Sequence, residues 1–192
     1  MKIGVLALQG DFAEHLSVIH RLKVPAIPVR LPSELETVDG LIMPGGESTT
    51  MCKLMDDYKL AEPLQKRAKQ GFPIFATCAG MILLAKHIVD SEVKSLGLMN
   101  ITVRRNAYGR QVDSFETDMS IPEIGEKSFR AVFIRAPIIE KVHDGVTVLG
   151  EVNGSPVAVR QGNLFACSFH PELTDDVRMH KYFLSFIKGD AK

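Results

Sequence analysis

Between Lys2 and Lys86 the chain alternates short, wholly apolar runs with segments of helical periodicity. Lys2–Leu8 breaks at Gln9-Gly10, Ala26–Val29 follows, Gly40–Met43 ends at Pro44-Gly45-Gly46, and Pro73–Thr77 closes the series. Runs this short, apolar on both faces, read as strands buried from both sides. Between them, Asp11 opens a helix on which Phe12, Leu16, Ile19 and Leu22 recur. Ser48 is expected to cap a helix through Met55, Ala61–Gln70 forms another closed by Gly71, and Ala79–Lys86 a fourth. Such strands joined by helical crossovers imply a parallel sheet with helices on both faces, an α/β fold of three layers.

From about Asn100 the texture changes. Ile101–Val103, Val112–Phe115, Ala131–Ile134, Val146–Val152, Val157–Arg160 and Leu164–Phe169 are strand-like, with turns at Asn153-Gly154 and Gln161-Gly162-Asn163 that predict hairpins. The sheet is therefore expected to be mixed rather than purely parallel. Asp175–Ile187 reads as a closing helix and Pro122–Lys127 as an exposed loop. With 192 residues and no repeat, linker or low-complexity stretch, residues 1–192 are expected to form a single domain.

Charge excludes some functions. Lys+Arg and Asp+Glu are 23 each, so no basic excess draws the chain to nucleic acid or an anionic membrane. The most apolar window, Ile74–Ala85, falls far short of the ~20 residues of a membrane-spanning helix. The run Ile3–Leu8 is too short for a signal-peptide core. Three widely spaced cysteines, Cys52, Cys78 and Cys167, make neither a disulfide framework nor a zinc site, which points to a reducing cytoplasm.

Chemistry concentrates in three segments. In Ile74-Phe-Ala-Thr-Cys78-Ala-Gly-Met81 a strand ends, a cysteine takes the turn and a helix begins, with Ala76 and Gly80 flanking it. Small neighbours are what a tight nucleophile elbow requires, and the helix N-terminus favours a thiolate. In Ser168-Phe-His170-Pro-Glu172, Pro171 keeps His170 out of the helical region. Residues two apart in extended chain point the same way, so Glu172 can orient the His170 ring. In Pro44-Gly45-Gly46-Glu47-Ser48, glycine N–H groups can face a ligand, and those of Gly46 and Ala79 can converge on one oxyanion. Taken singly, each segment also reads as ordinary packing: a core cysteine, a strand-end turn, a strand-to-helix turn. His15, His20, His87, His143 and His180 read as surface or packing residues.

Together the three segments resemble a class I, triad-type glutamine amidotransferase, whose fold is a flavodoxin-like three-layer sandwich. Leu8-Gln9-Gly10, Gly45–Met51, Arg105-Asn106 with Gly109–Glu116, Phe133–Pro137 and Cys167–Thr174 resemble one branch of it, the glutaminase subunits of deoxyxylulose-independent pyridoxal 5′-phosphate synthase, from end to end of the chain. The resemblance implies Cys78 as nucleophile, His170 as base and acid, and Glu172 as the residue orienting His170. It implies Gly46, Glu47, Ser48, Arg105, Ile134 and Arg135 as glutamine-binding residues, with Gly46 and Ala79 forming the oxyanion hole. It implies L-glutamine as substrate, no metal or organic cofactor, and a (β/α)₈-barrel synthase as partner in a large hetero-oligomer. It further implies that Gln9-Gly10 senses docking of that partner. An amidotransferase for another acceptor, such as imidazole glycerol phosphate synthase, a non-catalytic flavodoxin-like module and a cysteine hydrolase on the same sheet stand as alternatives. Gly109–Glu116 and Phe133–Pro137 weigh against the first of these, and Gly45–Ser48 with Glu172 against the last.

Overall fold

The computed structural model of the chain describes residues 1–89, 91–105 and 114–189. Its elements, in chain order, are β1 Ile3–Leu6, α1 Phe12–Arg21, β2 Ala26–Val29, α2 Pro32–Leu35, β3 Gly40–Met43, α3 Ser48–Asp57, α4 Ala61–Lys69, β4 Ile74–Thr77, α5 Ala79–Leu84 and β5 Ala85–Val89. There follow β6 Met99–Arg104, β7 Ser114–Met119, β8 Phe129–Ile134, β9 Ile138–Val142, β10 Thr147–Val152, β11 Ser155–Gln161, β12 Leu164–Cys167 and α6 Arg178–Lys188.

The central sheet has seven strands in the order β10-β11-β12-β4-β3-β1-β2. From β12 to β2 all neighbours are parallel, whereas β10, β11 and β12 form the expected antiparallel hairpins. The sheet is thus mainly parallel and mixed. Its strands alternate between two cores. Ile74 and Ala76 of β4 pack in a cluster with Met51 and Met55 of α3 and Leu64 of α4. Phe75 between them joins Ile19 of α1 and Phe183 of α6 on the other face. Its ring stacks on Phe165 at 4.6 Å. Full burial of such a side chain is worth roughly 1.5–3 kcal/mol, so this alternation is what fixes the strand register.

Two smaller sheets extend the layers. β5, β6 and β9 form one, on the α3–α5 side, and β7–β8 a hairpin on the α1–α6 side. They matter here because Arg105 follows β6 and Arg135 follows β8. Beyond shifts of a few residues at element ends, such as α6 starting at Arg178 rather than Asp175, the structure departs from the sequence reading as follows. α5 ends at Leu84, short of Lys86, because Ala85 pairs with Met99 in a new strand. β9, unforeseen, pairs antiparallel with β6, and the short α2 was also unforeseen. The cap of α3 is Glu47, one residue earlier than expected, its carboxylate accepting the N–H groups of Thr49 and Thr50. The motif residues Asn106 and Gly109–Asp113, and with them the start of the expected strand Val112–Phe115, lie outside the described residues. Among the described residues no helix is long and apolar enough to cross a membrane.

Candidate active site

The parallel strands β3, β4 and β12 end side by side, and each delivers one part of a single site. β4 delivers Cys78. Its backbone sits at φ 48°, ψ −108°, a conformation that side-chain-bearing residues avoid; such strain costs on the order of 1–3 kcal/mol. Hydrogen bonds on either side hold it. Cys78 N–H donates to the Cys167 carbonyl at 2.9 Å and Gly80 N–H to the Pro44 carbonyl at 3.1 Å. A Cβ on Gly80 would lie 2.2 Å from the Met43 carbonyl oxygen, so only glycine lets the start of α5 close against β3. This is the elbow that the small residues around Cys78 predicted.

β12 delivers His170 and Glu172. His170 lies at φ −109°, ψ 85°, outside the helical region as Pro171 requires, and its N–H donates to the Val132 carbonyl of β8 at 2.8 Å. His170 Nδ1 is 2.7 Å from Glu172 Oε1 and 3.4 Å from Asp11 Oδ2. Burial disfavours the His170 cation, but Asp11, Cys78 and Glu172 outweigh it and raise its pKa to about 12. Burial pushes Glu172 the other way, toward its neutral form, against the pull of His170. The two compete for one proton on the Nδ1–Oε1 line. The imidazole holds it, because three acceptors surround that ring. A Cβ on Gly45 would stand 2.4 Å from His170 Cε1, so the glycine of the β3 loop sets how close the ring comes. Asp11, His170 and Glu172 also bring ligand atoms within 4.8 Å of one another, a donor set that could hold a cation.

The loop after β3 completes the rim. Glu47 N–H donates to Gln9 Oε1 at 2.7 Å. The Glu47 carboxylate accepts from Arg105 at 3.2 Å, and Arg105 also donates to Thr49 Oγ1 and Ser91 Oγ. Burial raises the Glu47 pKa, yet its hydrogen bonds from Thr50 and Thr49 together prevail and hold it at about 2. A cavity of about 370 Å³ opens between these parts. Cys78, His170, Gly46, Glu47, Ser48, Ala79, Arg105, Ile134 and Arg135 all line it, and Glu172 stands behind His170. Every candidate residue from the sequence therefore meets at one place.

Sequence reasoning missed others. Asp11 occupies the N-cap position of α1 without a side-chain cap bond and turns to His170 instead. His15, read as a surface or packing residue, is fully buried beside Glu172. The signal was present: His15 lies three residues after Phe12 and four before Ile19, on the buried stripe of α1. Cys167 is fully buried.

Residues 5–188 match the family model of the SNO glutamine amidotransferase family, and the chain belongs to that family. It is 53% identical over 98% of its length to the whole of "Pyridoxal 5'-phosphate synthase subunit PdxT" of Thermotoga petrophila. It is 56% identical to the protein of the same name in Kosmotoga olearia, covering 98% of this chain and 99% of that one. A solved structure titled "Crystal structure of glutamine amidotransferase" superposes with a TM-score of 0.93 at 49% identity, over 97% of this chain and 98% of that one. PurLQS from Thermotoga maritima, at 19% identity and a TM-score of 0.71 over 97% and 98% of the two chains, shares the fold.

Proposed function

We propose that this member of the SNO glutamine amidotransferase family hydrolyses the side-chain amide of L-glutamine and passes the ammonia to a partner synthase that makes pyridoxal 5′-phosphate. The observation that carries the reading is the meeting of Cys78, on its strained elbow, with the His170–Glu172 pair at the mouth of one polar cavity. The names of the two relatives support the pathway.

The chemistry follows from the geometry. The amide carbon of glutamine docks against Cys78 Sγ, and the thiolate adds to it. Gly46 and Ala79, which line the cavity next to Cys78, offer backbone N–H groups to the oxyanion. Losing one such donor costs on the order of 10²–10³ in rate. His170 gives its proton to the departing ammonia, leaving a thioester on Cys78. His170, now neutral, takes a proton from water as that water attacks the thioester, and glutamate leaves. Glu172 keeps its charge throughout, holding the ring and stabilising the imidazolium. Glu47, Ser48, Arg105, Ile134 and Arg135 grip the rest of the substrate. No step needs a metal or organic cofactor.

The partner in this reading is a (β/α)₈-barrel synthase subunit, in a large hetero-oligomer in the cytoplasm. Docking would be sensed at Gln9-Gly10, because Gln9 Oε1 holds Glu47 N–H and Gly10 packs on the Gly45 carbonyl. That contact sets the orientation of the peptide that supplies the Gly46 N–H. The test is covalent: a glutamine-mimicking electrophile should add to Cys78, be blocked by L-glutamine, and spare Cys52 and Cys167. Equal labelling of all three, or labelling that glutamine leaves unchanged, would discard the reading.

A further inference from the structure

Behind Glu172 lies a polar layer that the reaction above does not use. His15 of α1, Thr77 at the end of β4 and His180 of α6 are each 0% exposed. His15 Nδ1 is 2.9 Å from His180 Nε2, and His15 Nε2 is 3.2 Å from Thr77 Oγ1 and 3.3 Å from Glu172 Oε2. Among the described residues, two buried side-chain atoms lack a hydrogen bond: Glu172 Oε2 and His180 Nδ1.

Those two atoms decide where the protons sit. Both imidazoles are neutral: burial, with the charges of His180 and His170, lowers His15, and burial with Arg21 lowers His180 to about 3. Each ring then carries one N–H, and the short Nδ1–Nε2 contact needs one donor and one acceptor. If His15 donated from Nδ1, its bare Nε2 could accept from the Thr77 hydroxyl but would also face the lone pairs of Glu172 Oε2. His180 would then carry its proton on Nδ1, a buried donor with no acceptor. If His180 donates from Nε2 instead, His15 Nε2–H bonds Thr77 Oγ1 with Glu172 Oε2 alongside at 3.3 Å, and the unpartnered His180 Nδ1 is a bare lone pair. Stranding a buried donor beside a repulsive contact is the more costly arrangement. In the second arrangement the His15 Nε2–H, bonded to Thr77 Oγ1, also lies 3.3 Å from Glu172 Oε2, an attractive electrostatic contact for an oxygen with no hydrogen bond of its own. The edge of Phe75 packs on both rings, at centroid distances of 6.3 and 5.6 Å, and restrains their rotation.

We infer that His15 is a positioning residue for glutamine hydrolysis, its Nε2–H anchored on Thr77 Oγ1 and facing Glu172 Oε2 electrostatically, and held in that tautomer by His180. The triad thereby extends inward through five side chains: Cys78, His170, Glu172, His15 and His180. Glu172 binds His170 through one oxygen only, so the plane of its carboxylate, and with it the tilt of the imidazole, depends on what the other oxygen meets. The inference rests on the glutaminase reading for its consequence, and on the burial and geometry of the two histidines for its protonation pattern.

Two measurements test it separately. Nitrogen NMR of histidine-labelled free protein at neutral pH should show His15 and His180 neutral and protonated on Nε2. A His15 protonated on Nδ1, or charged, overturns the inference whether or not the chain turns over glutamine. In the complex with the synthase, His15→Leu should lower kcat by roughly 10- to 100-fold while KM for glutamine moves less than about 2-fold. His15→Gln, whose amide N–H reaches the position of Nε2–H, should recover most of that loss. Equal loss in both variants at unchanged melting temperature, or none in His15→Leu, overturns the positioning role. If His15→Leu does not fold, His180→Gln against His180→Phe asks the same question: recovery in the first supports the role, and equal loss in both overturns it. Wild-type protein that releases no glutamate sinks the glutaminase reading, and the tautomer measurement still decides this one.

Discussion

The rim of the cavity and the layer beneath it are built on opposite terms. At the rim, Glu47 and Arg105 meet at 3.2 Å with side chains 51% and 25% exposed, and water can replace any contact they lose. Beneath it, the Glu172 and His15 side chains are wholly buried, and water cannot replace a contact they lose. The same chemical types are therefore cheap to change in one region and expensive in the other. The rim can be tuned to a substrate, while the layer beneath can only be kept or broken.

The sharpest challenge to that contrast is Glu172→Gln. The amide keeps the shape but removes the charge that stabilises the imidazolium, so kcat should fall on the order of 10³–10⁴-fold, by analogy with orienting carboxylates in other triads. Steady-state kinetics checks it, and a loss below about tenfold would mean that the buried layer is not special. Acid stability comes next. Burial lowers the folded-state pKa of both His15 and His180, so their stabilising effect is full above the unfolded value near 6.5 and is lost as pH falls below it, down to about 3 for His180. Each contributes up to about 1.4 kcal/mol per pH unit over that range. Denaturant midpoints between about pH 7 and 4 should therefore drop steeply, and less steeply in His180→Phe. At the rim, Arg105→Ala should raise KM about tenfold, or about 1.4 kcal/mol, with kcat little changed. The smallest effect is Glu47→Ala, which removes the α3 cap and should lower stability by about 1 kcal/mol. Because the Glu47 pKa is lowered, that difference should be present above pH 4.5 and vanish as pH falls toward about 2, as denaturant melts across that range would show. Chelation should leave glutamine hydrolysis unchanged, and a loss of activity would instead favour a cation at Asp11, His170 and Glu172.

The rim and the triad were legible in the sequence because both follow strand ends. β2 and β3 match their expected residues, Ala26–Val29 and Gly40–Met43, end for end, since an apolar run and a turn bound each of them. Cys78, His170 and Gly46 sit where such strands stop. What was illegible depended on pairing across distance. Ala85-Lys86 reads as the end of a helix until β6 lies beside it, and Ile138–Val142 becomes a strand by the same partner. Ser48 is the cap that residue type favours, and only the reach of the Glu47 carboxylate to the N–H groups of Thr49 and Thr50 moves the cap one residue earlier. His15 and His180 lie 165 positions apart, and no local pattern joins them.

Everything above turns on Cys78, His170 and Glu172 hydrolysing glutamine for a partner. The decisive experiment is glutamate release from L-glutamine, measured for the chain alone and with the barrel synthase. Release should be low for the chain alone, rise strongly on mixing, and be absent from Cys78→Ala under either condition. Release by Cys78→Ala, or no release from the wild type in either mixture, would contradict that reading.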